Sequence, residues 1–161
     1  TGSTALWTAG TSTAAAGTAA YTALWSVDQV ASQETFVGYH GTSSEHEPSI
    51  RSSICPPTGL NFGGDSQLGE GFYTTTNYEM AQRFAQNAVV DAGGDPVVLE
   101  IQAQGFGQMR GTEVPQQMWW RVASDSPYIT DFDYLTAPIQ GYEFAPQIKF
   151  NPQAYRHLSV R

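Results

Sequence analysis

The chain has 161 residues, enough for one domain with a single core. Fifteen acidic residues against seven basic ones give a net charge of −8, which repels phosphate backbones and anionic bilayers and argues against nucleic acid or membrane as partner. Charged residues make up only 14% and aromatics 12%, so Ser, Thr, Gln, Asn and Gly must dress much of the surface, a balance that suits a secreted protein.

Cys55 is the only cysteine, which excludes an internal disulfide and any cysteine-based metal cluster. No run approaches the roughly 18–20 apolar residues a spanning helix needs. The sequence opens at Thr1 with no visible signal peptide and reads as a mature or excised domain, expected to be monomeric.

Residues 1–20 are almost entirely Thr, Ala, Gly and Ser and read as a low-complexity lead-in, leaving 21–161 as one domain. Ala20, Leu24, Val27 and Ala31 fall on one helical face and predict a helix over about 18–32. Phe36–Tyr39 is a short aromatic and β-branched run ending at His40, expected to be a buried strand. Ser44-Glu45-His46-Glu47 matches a capping box, with Pro48 tolerable in a first turn, so a helix is expected from near Glu45. Residues 55–71 carry Pro56, Pro57 and five glycines and read as an irregular loop of the length that serves a site.

Phe72-Tyr73-Thr74-Thr75 returns to strand character, and Asn77 is placed to cap a helix with Ala81, Phe84, Ala85, Ala88 and Val89 on its apolar face. The stretch from Asp91 to Pro96 ends that helix, and Val97–Ile101 is the clearest strand in the chain. After Met118–Val122 a polar and aromatic loop is expected through about 137, then extended runs near 147–150 and 157–160. Strands separated by only two or three helices, without regular alternation, predict an α+β domain.

Several signatures are absent or weak. Gly105, Gly107 and Gly111 miss the dinucleotide fingerprint spacing, and there is no Walker loop, nucleophile elbow or zinc-binding His-Glu-x-x-His. His46 lies between two glutamates whose side chains would diverge on a helix, so no metal is expected. What remains is Gly38-Tyr39-His40-Gly41-Thr42, with Gly71-Phe72-Tyr73 further on and Phe84 eleven residues after Tyr73. Two aromatics so placed could sandwich a flat ring. On residues alone, His40 could equally be structural and Phe84 a core residue.

These motifs resemble the diphtheria-toxin-like and poly-ADP-ribose-polymerase-like ADP-ribosyltransferases, and the first is especially similar to the exotoxin A catalytic domain. The likeness spans roughly residues 20–160 and is concentrated in the two motifs. It implies an ADP-ribosyltransferase-like core of two facing β-sheets with NAD⁺ in the cleft between them. It assigns a catalytic trio of His40, Tyr73 and Glu143, with His40, Gly41, Thr42, Tyr73 and Phe84 holding NAD⁺ as substrate. His40 would meet the adenosine-side ribose, the Gly41 backbone the nicotinamide amide, and Tyr73 and Phe84 the nicotinamide ring. Phe84 stands where the family has a second tyrosine, keeping the ring face but losing a phenolic hydrogen bond. Glu143 fits the family's glutamate because it precedes an extended run ending at Pro152, with Glu100 and Glu113 as distant alternatives. Gly141 replaces the marker of arginine-modifying relatives.

The function implied is mono-ADP-ribosyl transfer to a target protein by a toxin or effector acting inside a target cell. Elongation factor 2 is the acceptor the likeness names, and loops 55–71 and 123–138 are the expected acceptor-facing segments. The second loop carries Asp125, Asp131 and Asp133 beside Tyr128, Phe132 and Tyr134, suiting a basic partner surface. Two alternatives stay open: an NAD⁺ glycohydrolase with water as acceptor, and a secreted binding module that has lost catalysis.

Overall fold

A computed structural model describes residues 33–54, 67–122, 128 and 130–161. The lead-in, the helix expected over 18–32, Cys55 and Asp125 lie outside the described residues. The architecture is α+β, with a seven-stranded sheet and few helices. In chain order the elements are β1 (Glu34–Ser43), α1 (Glu47–Ser52), β2 (Phe72–Thr75), α2 (Tyr78–Ala92), β3 (Pro96–Gln104), β4 (Gly111–Glu113), α3 (Trp119–Val122), β5 (Tyr134–Ile139), β6 (Tyr142–Phe150) and β7 (Leu158–Val160). Across the sheet they run β4-β5-β6-β2-β1-β3-β7.

The middle of this order is thin. β1 pairs with β3 over nine positions and β2 with β6 over four, whereas β1 and β2 share the single pair Tyr39–Thr75. The sheet is therefore two half-sheets, β4-β5-β6-β2 and β1-β3-β7, joined at one point. Glycine makes the junction possible: Gly38 has φ +134°, and a Cβ there would press on the Thr75 carbonyl and Thr74.

Two apolar clusters hold the halves. One gathers Val37, Phe72, Leu99, Ile101 and Phe150 with Ile54 and Leu158. The other gathers Leu68, Val114, Trp119, Val122, Leu135 and Ala137. α2 lies across β1 and begins where expected, with the Asn77 side chain accepting from the Met80 amide at 3.0 Å. Its buried face is Met80, Ala81 and Ala85, while Phe84, expected on that face, is 39% exposed.

Three sequence expectations are corrected. α1 starts at Glu47, two residues late, and no capping box forms, because Ser44 Oγ instead accepts from the Asp95 amide. β1 does not end at His40 but runs on to Ser43, paired with β3 throughout. The loop expected through 137 contains β5, whose Leu135, Ala137 and Ile139 are buried at strand period. Pro138 hides that strand in the sequence. It is tolerated because it pairs with Pro146, so neither residue is required to donate to the other, and because β4 ends before reaching it.

Candidate functional site

The His40 side chain reaches the Tyr73 main chain where β1 and β2 run on beyond their one shared ladder pair. The His40 ring stacks on Phe72, with centroids 4.3 Å apart, and its Nδ1 lies 2.8 Å from the Tyr73 carbonyl oxygen. A carbonyl only accepts, so Nδ1 carries the proton and Nε2 presents a lone pair when the ring is neutral. Part of the ring stays accessible, but crowding by protein lowers the His40 pKa below its usual value, against the raising effect of the Tyr73 bond. His40 is thus a neutral acceptor at physiological pH.

Gly41 serves a different contact. A Cβ there would run into the backbone of Ala81 and Ala85, so its glycine lets α2 settle directly on β1. Phe84 sits in that same helical turn with its ring partly open to solvent. Thr42 is buried beside His40's strand neighbours.

Tyr73 leaves the sheet on the opposite face from His40, against the second cluster. Its hydroxyl accepts from the Leu68 amide at 3.1 Å and donates to the Gly69 carbonyl, clamping the turn that precedes β2. Burial drives the phenol's pKa upward, so it stays protonated.

Glu143 does not join this group. It stands on the exposed β5–β6 hairpin, with Oε1 accepting from the Gly141 amide at 3.1 Å, and it lines a pocket with Glu113 and Phe144. Level with Tyr39 and Thr75, β6 instead offers Gln147, four residues further on. At about 3.3 Å per strand residue, that separates Glu143 from this level by roughly 13 Å. Gln147 is buried, and its Nε2 donates to Gln67 Oε1 at 2.9 Å and to the Pro138 carbonyl at 3.1 Å. Of the alternatives, Glu100 is exposed opposite Tyr39 on β3, and Glu113 is exposed on β4.

Sequence reasoning missed Gln147 and Lys149, because a polar residue inside an extended run looks outward-facing until register is known. Lys149 pairs with Tyr73 and Leu135, is fully buried, and has no hydrogen-bond partner for Nζ among the described residues. Burial pulls its pKa down to about 8, with Glu70 acting the other way.

The expected acceptor loop is also corrected where it is described. Tyr128 and Phe132 pack on the second cluster, Tyr134 stacks on Phe106, and Asp133 accepts from the Arg110 amide. Only Asp131 of its described acidic residues is exposed. Among the described residues no group of His, Cys, Asp or Glu is arranged to hold a metal, and no helix is long and apolar enough to cross a membrane.

The fold and site define an α+β domain with a histidine poised at a break in its sheet. No protein-family model matches the sequence. No curated protein matches it either.

Proposed function

We propose that the chain binds NAD⁺ at the opening between β1 and β2, cleaves the nicotinamide–ribose bond and transfers ADP-ribose to a protein. The observation that carries this reading is the His40 ring fixed across the opening by the Tyr73 carbonyl, with Nε2 left to accept a ribose hydroxyl. An extended dinucleotide threading between half-sheets joined by one pair would meet His40 from one face and the Gly41 backbone, Tyr73 and Phe84 from the other. On this reading the half-sheets β4-β5-β6-β2 and β1-β3-β7 would be the two sheets of a transferase-type core.

The chemistry demands little of the protein. Nicotinamide leaves a cationic pyridinium as a neutral base, so no acid has to protonate it. The C1′–N bond breaks, an oxocarbenium-like ribose forms, and the acceptor atom bonds to C1′ and releases its proton. One carboxylate beside the sugar stabilises the developing charge. This reading assigns that role to Glu143.

The test is nicotinamide release from NAD⁺, followed by labelled NAD⁺ with cell lysate. Label on a protein supports transfer, and free ADP-ribose alone supports the glycohydrolase. Glu143→Gln should lower turnover by about 10²–10³-fold with NAD⁺ affinity little changed. A variant with full turnover would remove Glu143 from the chemistry.

Gln147 favours a second reading, in which the chain binds the dinucleotide without cleaving it. An amide, not a carboxylate, occupies the β6 position level with Tyr39 and Thr75. Saturable NAD⁺ binding with no nicotinamide release would establish that reading instead.

A further inference from the structure

We propose that the tip of the β5–β6 hairpin and the edge strand β4 form a docking pocket for an arginine side chain of a partner protein. The pocket, about 250 Å³, is lined by Pro138, Pro146, Thr136, Phe144, Glu113 and Glu143. An apolar cavity of about 150 Å³ takes a benzene ring, so the volume suffices for one long side chain. Its walls are apolar enough to pack an aliphatic stem, and its two carboxylates stand ready for a cationic head.

Those carboxylates have no cationic partner among the described residues. Among the described residues the ion pairs are Arg51–Glu47 and Arg161–Glu100, so neither Glu113 nor Glu143 has one. Among the described residues, Arg83 sits over the Tyr142 ring, 5.7 Å from its centroid, and forms no ion pair with either carboxylate. Glu143 keeps one oxygen on the Gly141 amide, which fixes the carboxylate's direction and leaves the other oxygen to a ligand.

The third feature is Phe144, 73% exposed and the most open aromatic among the exposed large hydrophobic residues of the described surface. An exposed ring at the mouth of a doubly acidic pocket suits a guanidinium, which stacks on aromatic faces while binding carboxylates. Lysine would pair with the charge but gain less from the ring. The chain's net charge of −8 attracts a basic segment to the protein as a whole. The inference does not depend on NAD⁺ cleavage. If transfer occurs, the pocket is where the protein acceptor docks.

The experiment is a calorimetric titration of the full chain at low salt with a hexapeptide of four glycines and two arginines. Its control is the same peptide with citrulline for arginine. Only the arginine peptide should bind measurably. Glu113→Gln and Phe144→Ser should each weaken it about two- to fivefold, the size of a partly exposed ion pair or ring contact. Asp91→Asn with Asp131→Asn, elsewhere on the surface, should leave it unchanged. Equal binding of the citrulline peptide, or equal weakening by the control pair, would overturn the pocket. Nicotinamide release measured on Glu113→Gln and Phe144→Ser should match the parent chain. A loss there would put these residues in the NAD⁺ site and overturn the docking role.

Discussion

His40 and Lys149 are two titratable side chains whose pKa values burial lowers, one beside a hydrogen-bond partner and one without. For His40, the lowered pKa keeps the ring neutral, so Nε2 accepts a hydrogen bond at every pH above that value. NAD⁺ affinity should therefore be flat from pH 8 to pH 6.5 and fall only on further acidification. A pH series of NAD⁺ titrations checks this, and a decline already between 8 and 7 would show that His40 is not the acceptor. For Lys149, the unfolded chain takes a proton near 10.5 and the folded chain only near 8. Folding thus excludes a proton between those values, and stability rises as pH climbs from 8 toward 10.5. Below 8 the buried ammonium costs of the order of 3 kcal/mol. Lys149→Met keeps the stem and removes the charge, so it should raise stability at pH 7 by about 1–3 kcal/mol and flatten the pH dependence. Urea unfolding at pH 7, 8 and 10 measures both, and a parent chain equally stable at 8 and 10 would defeat the explanation.

Elements were legible in proportion to how local their signals are. Asn77 announces α2 because its cap bond spans only three residues, and Asn77→Ala should cost about 1 kcal/mol in thermal or chemical unfolding. Gly41 was legible as special but for a different reason from the one its motif suggests. Its structural role is the close approach of α2, so Gly41→Ala should destabilise the fold as well as weaken NAD⁺ binding. If melting were unchanged while affinity fell, the α2 contact would not be what glycine secures. β5 was hidden by a proline at a position where no neighbour needs a backbone donor, and the true length of β1 by the fact that partner strands sustain a run that sequence seems to end at His40. The arrangement of the candidate site was less legible: the His40 ring reaches only the Tyr73 main chain while the two side chains leave the sheet on opposite faces, and the position of Glu143 depends on a register shift between Pro138 and Ile139 that no pattern in the sequence encodes. Aromatics at 128, 132 and 134 looked like a binding loop because composition cannot show that their rings turn inward.

At the scale of the whole molecule the consequential feature is the single pair joining two half-sheets. Every other neighbouring pair of strands shares three or more positions in register, so the β1–β2 seam carries the least strand pairing in the sheet. A ligand spanning the seam would replace missing strand contacts with its own and bind the folded state alone. NAD⁺ at a hundred times its dissociation constant then stabilises by about 2.7 kcal/mol. For a domain of this size each kcal/mol is worth roughly 2–4 °C, so melting should rise by about 5–10 °C. Because the ligand acts through His40, His40→Ala should lose most of that shift while keeping a cooperative transition. Hydrogen exchange adds the spatial part: amides of residues 38–41 and 72–75 should gain protection with NAD⁺, and those of β7, on the far edge, should gain little. A thermal shift without protection at the seam would place the dinucleotide elsewhere on the fold, and no shift at any NAD⁺ concentration would leave the seam a structural joint and nothing more.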